Sequence, residues 1–120
     1  MKKVLVIDDE AVIVEVLCRH LARIGYEASG AGSAEEALTF LDRDTADVIL
    51  LDNVLPGMTG LKALAEIRSR SSAPVIIMTG HCDDELRKDA FLLGASGLLS
   101  KPHDLAILDE LLRKTLEAHS

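Results

Sequence analysis

Three unbroken apolar runs punctuate the chain: Val4-Leu5-Val6-Ile7, Val48-Ile49-Leu50-Leu51 and Val75-Ile76-Ile77-Met78. None alternates with polar residues, so both faces of each run must be covered, as for strands of a parallel sheet packed between helices. The stretches between them change period. Ile13, Leu17, Leu21 and Ile24 mark one helical stripe, Leu61, Leu64 and Ile67 a second, Leu86, Ala90 and Leu93 a third, and Leu105, Leu108 and Leu112 a fourth. Ser33 with Glu36 three residues on is a capping-box pattern and predicts a helix from Ala34. Asp104, just after Pro102, is the expected N-cap of the last helix, while Gly25 and Gly94 close the first and fourth. Weaker strands are predicted at Tyr26 to Ala31 and Gly97 to Ser100. Five strand-helix repeats with right-handed crossovers give an α/β fold, an open, doubly wound, five-stranded parallel sheet. The weak second and fifth strands read as edges, which predicts the order 2-1-3-4-5.

Composition narrows this picture. A chain of 120 residues reads as one domain spanning 1–120, with no output domain and no linker or repeat. Hydrophobic residues at 48%, charged residues at 28% and a mean hydropathy of +0.22 describe a globular chain. Aromatics at 2% leave the core to Leu, Ile, Val and Ala and argue against base-stacking platforms. A net charge of -7 opposes direct nucleic acid binding by this domain. Cys18 and Cys82 form no C-x-x-C pair, so neither a zinc site nor a disulfide framework is expected. The apolar runs are too short for a membrane span or a signal peptide, and the expectation is a cytoplasmic protein with no membrane partner.

The polar residues that follow each central strand carry the chemistry. The first strand exits into Asp8-Asp9-Glu10, the third into Asp52-Asn53, the fourth into Thr79-Gly80 and the fifth into Lys101-Pro102. Parallel strands point the same way, so these residues meet at one carboxyl-end rim, where ligands of such sheets bind. Two like charges about 5 Å apart repel by roughly 3 kcal/mol at an effective dielectric of 20. Asp8, Asp9 and Asp52 therefore need a cation, or one must stay protonated. All-oxygen ligands with room for water favour Mg²⁺. With Lys101 and the Thr79 hydroxyl, the set forms a receptacle for a phosphoryl group.

With these residues in place, the chain resembles the receiver domain of two-component response regulators along its full length. The matching segments are Val4 to Glu10, Leu50-Leu51-Asp52, Leu55-Pro56-Gly57-Met58-Thr59-Gly60, Pro74 to Thr79, Gly94-Ala95 and Lys101-Pro102. The resemblance implies a CheY-like, (βα)5 flavodoxin-like fold and a phosphorylation-activated signalling switch rather than an enzyme. It implies that Asp52 accepts a phosphoryl group from the phosphohistidine of a sensor histidine kinase or phosphotransfer protein. Asp9, Asp52 and the Val54 backbone carbonyl would ligate Mg²⁺, with Asp8 acting through water. Lys101 would pair with the phosphoryl group and Thr79 would move to bond it. Gly57 and Gly60 would shape the loop after the acceptor, and Lys101-Pro102 is a candidate cis bond. The signal would be relayed to the face of the fourth helix, fifth strand and fifth helix, a candidate homodimer surface that Ile107 and Leu111 extend.

Some positions depart from the family pattern. Leu98 stands where an aromatic switch residue is common, and His103 where an apolar or aromatic residue is frequent. Val54 and His81 occupy positions that tune phosphate lifetime, and Val54 cannot orient an attacking water. His81 reads as a solvent-facing loop residue, and His20, His103 and His119 as surface residues without ligand-like spacing. Cys18 reads as a small packed residue. Three other functions are weighed against the switch. A degenerate receiver that only binds partners is opposed by the intact acidic set, though Leu98 keeps it in play. A phosphatase using Asp52 as nucleophile lacks an acid two residues on, where Val54 stands. A dinucleotide binder lacks the glycine-rich turn after the first strand.

Overall fold

The computed structural model describes residues 1–81, 83–101 and 104–119. The alternation of strand and helix is as the hydrophobic pattern predicts: β1 (Lys3–Ile7), α1 (Ala11–Arg23), β2 (Glu27–Ala31), α2 (Ala34–Arg43) and β3 (Val48–Asp52). A two-stranded antiparallel ribbon follows, β4 (Val54–Leu55) with β5 (Met58–Thr59). The chain then continues through α3 (Gly60–Arg68), β6 (Val75–Thr79), α4 (Asp84–Leu92), β7 (Gly97–Ser100) and α5 (Leu105–Ala118). The five main strands pair in parallel in the order β2-β1-β3-β6-β7, which is 2-1-3-4-5 when only they are counted.

The unbroken apolar runs are central because each residue in them is buried on one face or the other. Leu5, Ile7, Ile49, Leu51, Val75 and Ile77 pack against α2 and α3 through Ala34, Ala37, Leu41, Ala63, Leu64 and Ile67. Their neighbours Val4, Val6, Val48, Leu50, Ile76 and Met78 face α1 and α5 through Leu17, Leu21, Leu108 and Leu112. All of β3 and β6 is buried, whereas β2 and β7 are partly exposed edges.

The helix ends follow the predicted chemistry. Ser33 accepts a hydrogen bond from the Glu36 amide, and Asp104 accepts one from the Ala106 amide. The Glu36 carboxylate reaches back to the Gly32 amide, one residue earlier than a reciprocal capping box would have it. Gly25 and Gly94 sit at φ +100 and +99, just past the C-caps of α1 and α4, where a left-handed residue is needed.

Three readings of the sequence change. Ile24 is not part of the α1 stripe: the helix has already ended, its backbone has left helical values, and the side chain is 44% exposed. Leu93, at the C-cap of α4, is exposed for the same reason. His20 is not a surface histidine. Its ring is largely buried, and Nε2 lies 2.7 Å from Asp109 Oδ1, so it ties α1 to α5 across the sheet face they share. His81 and His119 are exposed as expected, and Cys18 is half-buried against the α1–α5 face, where burial pushes its thiol pKa up. Cys82, Pro102 and His103, and with them the candidate cis bond, lie outside the described residues.

Gly60 positions the loop that follows Asp52. A Cβ there would lie 2.5 Å from the Asn53 Cα and 2.8 Å from its carbonyl oxygen, and the Gly60 amide donates to that same carbonyl at 2.8 Å. We expect Gly60→Ala to destabilise the domain by about 1–3 kcal/mol, read as a lower urea midpoint at unchanged slope. Unaltered stability would show that the loop yields freely.

Candidate functional site

Every predicted site residue lies at or just past the carboxyl end of a main strand. Asp8 directly follows β1 and is completely buried, its amide donating to the Ala31 carbonyl at 3.1 Å. Its Oδ1 accepts from the Glu10 amide at 3.0 Å. Asp9, one residue on, is exposed. Asp52 ends β3 and is 5% exposed, and its Oδ1 accepts from the Val54 amide at 3.3 Å. Lys101 follows β7, anchored by its amide donating to the Thr79 carbonyl at 2.7 Å.

The Lys101 ammonium joins the acids. Nζ lies 3.0 Å from Asp8 Oδ2 and 3.2 Å from Asp52 Oδ1. Carboxylate oxygens of Asp8, Asp9 and Asp52 lie within 4.8 Å of one another. Burial raises the Asp52 pKa; the Val54 amide and Lys101 pull it down and the Asp8 charge pushes it up, leaving it above its ordinary value. Burial alone would lower the Lys101 pKa, but its bonds to Asp8 and Asp52 outweigh this and hold it above the ordinary value. Lys101 is therefore a fixed cation at neutral pH, and one ammonium is left to offset three crowded carboxylates.

That imbalance, and the donor chemistry, fit a hard divalent cation. Both Asp8 oxygens already have partners, Glu10 N–H and Lys101, whereas Asp9 is open to solvent and the contacts of Asp52 both fall on Oδ1. The arrangement leaves Asp9 and Asp52 as the freer ligands and Asp8 as a buried charge behind them.

Thr79 is brought to the rim, but its hydroxyl is turned onto its own chain. Oγ1 donates to the His81 carbonyl at 2.9 Å and accepts from the His81 amide at 3.1 Å. Val54 is 71% exposed. Two supports were not anticipated from the sequence. The Glu10 amide orients Asp8, and Asn53 pins the loop by donating to the Met78 carbonyl at 2.8 Å while accepting from Gly60. Both act through backbone groups, which side-chain identity does not advertise; only Gly60, a glycine opening a helix, hinted at the second.

Known proteins share this sequence pattern and this fold. The response regulator receiver domain family matches residues 4–113. Sensory transduction protein RegX3 of Mycolicibacterium smegmatis is 38% identical over 117 residues, covering 97% of this chain and 51% of its own. The solved Francisella response regulator 1452 receiver domain superposes with a TM-score of 0.92 at 25% identity, covering 100% of both chains. Response regulator protein TrrA from Thermotoga maritima, solved in complex with Mg²⁺-BeF, matches with a TM-score of 0.84 at 34% identity, over 96% of this chain and 99% of its own. Receiver domains of response regulators are signalling domains, with phosphorylation as their general switch. The chain belongs to the response regulator receiver domain family of two-component signalling. It spans about half the length of the RegX3 relatives it matches. Among the described residues no helix is long and apolar enough to cross a membrane.

The raised Asp52 pKa has a consequence for stability. A carboxyl whose folded-state pKa lies above its unfolded value binds its proton more tightly in the native state. Its ionisation then costs stability, with no penalty below the unfolded pKa and the full penalty above the folded one. In EDTA, Asp52→Asn is expected to raise the melting temperature at pH 7, and the difference from wild type should shrink as the pH falls through the carboxylate range. A variant that melts lower than wild type at pH 7 would mean that the Lys101 pairing outweighs the burial of the charge.

Proposed function

We propose that this domain accepts a phosphoryl group on Asp52 from the phosphohistidine of a sensor histidine kinase or phosphotransfer protein, with Mg²⁺ as cofactor, and relays the change to the face formed by α4, β7 and α5. The observation that carries this reading is the bridge from Lys101 Nζ to Asp8 at 3.0 Å and Asp52 at 3.2 Å, beside three carboxylates whose oxygens lie within 4.8 Å.

Asp9, Asp52 and the Val54 carbonyl would hold Mg²⁺, with Asp8 contributing through water. When bound, the ion supplies positive charge to the crowded carboxylates and to the phosphoryl oxygens. A carboxylate oxygen of Asp52 forms the new bond to phosphorus as the bond to the donor imidazole nitrogen breaks, and that nitrogen keeps the electron pair. Lys101 is placed to exchange its contact with Asp52 for one with a phosphoryl oxygen. Thr79 can donate to the phosphoryl group only by giving up its donated bond to the His81 carbonyl, so phosphorylation loosens the turn that leads into α4. The Lys101 amide is bonded to the Thr79 carbonyl, which couples that movement to the end of β7.

Leu98 on β7 is half-buried beside the core and pairs in register with Ile77. It can repack as the turn moves but brings no ring to swing, so the response here rests on Thr79 and on aliphatic repacking. Exposed Phe91, Leu92, Leu93 and Ile107 support the α4–β7–α5 face as the readout surface and as a candidate homodimer contact.

Incubation with acetyl phosphate and Mg²⁺ should attach one phosphoryl group per chain, detected by intact mass, with none in EDTA or in Asp52→Asn. Lys101→Ala should retain the acceptor but slow labelling by on the order of a hundredfold. Labelling that survives Asp52→Asn, or none at all in folded, Mg²⁺-loaded protein, rejects the proposal.

A further inference from the structure

The β2 edge of the sheet offers a second surface, away from the proposed readout face at β7. Among the described residues β2 pairs with β1 alone, in parallel, with Lys3 opposite Glu27 and Ile7 opposite Ala31. The Glu27 amide donates to the Lys2 carbonyl at 2.9 Å, and the Ala31 carbonyl accepts from Asp8 at 3.1 Å. In a parallel ladder the residues that bond inward alternate with those that bond outward. Residues 27, 29 and 31 therefore turn their amides and carbonyls to β1, and Ala28 and Gly30 turn theirs away from the sheet. The next outward amide, that of Gly32, is stopped by the Glu36 carboxylate at 2.7 Å. The strand holds no proline or lysine, the residues that usually blunt such an edge.

Grooves lie on both sides of this edge and share Gly30. On the α1 side a depression of about 270 Å³ is floored by Val14 and Gly30 and rimmed by Asp9 and Glu15. On the α2 side one of about 420 Å³ runs from Gly30 past Phe40, between Glu35, Glu36 and Arg43. An added strand would direct alternate side chains into the two grooves, because successive residues face opposite sides. Glu15 is held by Arg19 at 2.8 Å and Asp9 belongs to the proposed cation site, so the negative excess that meets a ligand rests on Glu35 and Glu36 against Arg43. Apolar floors below acidic rims suit long cationic side chains, whose stems lie on the floor while their heads meet carboxylates. A second copy of this chain, with a net charge of -7, would bring like charge to the same rims.

We propose that the β2 edge, flanked by these two acid-rimmed grooves, docks an extended lysine- or arginine-bearing peptide segment of a partner protein, which adds as a further strand through Ala28 and Gly30. Main-chain bonds supply the register, and the rims select the charge.

The test uses the whole 120-residue chain, ¹⁵N-labelled, and a capped hexapeptide of sequence Lys-Val-Lys-Lys-Val-Lys. Titration should shift the Ala28 and Gly30 amide resonances most and slow their hydrogen exchange. An analogue methylated at every backbone amide keeps the charge but cannot pair as a strand, and should bind at least about tenfold more weakly. Glu35→Gln, which leaves the edge intact, should weaken binding by about two- to fivefold at low salt. Equal binding of the methylated analogue, shifts spread evenly over the acidic surface, or no shift at millimolar peptide would each overturn the proposal. Concentration-dependent shifts at Ala28 and Gly30 without peptide would also overturn it, by showing that a second copy occupies the edge.

Discussion

One ammonium group holds this site together. Lys101 Nζ sits between a fully buried Asp8 and a nearly buried Asp52, at 3.0 and 3.2 Å, in a place where either carboxylate alone would be costly. The bridge satisfies only part of the negative charge, since Asp9 stands beside them and Asp52 remains harder to ionise than an ordinary aspartate. The rim is thus poised rather than relaxed. It is organised enough to keep three acids together and short of the positive charge that would balance them, which is the condition the proposed cation and phosphoryl group would relieve.

That poise depends on the stiffness of what lies beneath. β1, β3 and β6 are gripped from both faces by aliphatic side chains, so the strand ends that carry Asp8, Asp52 and Thr79 have little freedom to drift apart. The connections above the rim are held mainly by backbone bonds: Glu10 onto Asp8, Val54 onto Asp52, Gly60 onto Asn53 and Lys101 onto Thr79. Thr79 is the exception. Among the described residues its hydroxyl is engaged with His81, through bonds of 2.9 and 3.1 Å, which is the kind of local alternative a two-state switch needs. In the proposed switch, a rigid sheet with one reversible latch at its rim would turn a covalent change on Asp52 into motion at α4 without disturbing the core.

Much of this was legible in the residues. Unbroken runs of β-branched and leucine residues can be stable only when covered on both sides, and that requirement alone leads to parallel strands, flanking helices and a common rim. Caps such as Ser33 and Asp104 and left-handed glycines such as Gly25 and Gly94 are local devices, so their positions could be read without knowing the fold. The ribbon of β4 and β5 was not foreseen, because two-residue strands leave no periodicity to detect. His20 was misjudged because its partner, Asp109, is 89 positions away, and no spacing rule within α1 signals a bond made to α5.

The sequence by itself therefore determined the class of fold, the order of its strands and the short roster of acids, hydroxyl and amine at their ends, because burial and parallel direction follow from residue type and spacing. Only the tertiary structure decided how those groups meet: that Lys101 bridges Asp8 and Asp52, that Asp9 stays open, that Thr79 is turned aside, and that β2 leaves Ala28 and Gly30 with outward-facing backbone groups. The physical reason is range. Hydrophobic periodicity is written into neighbouring residues, whereas charge pairing and free strand edges depend on distances of a few ångströms between segments far apart in the chain.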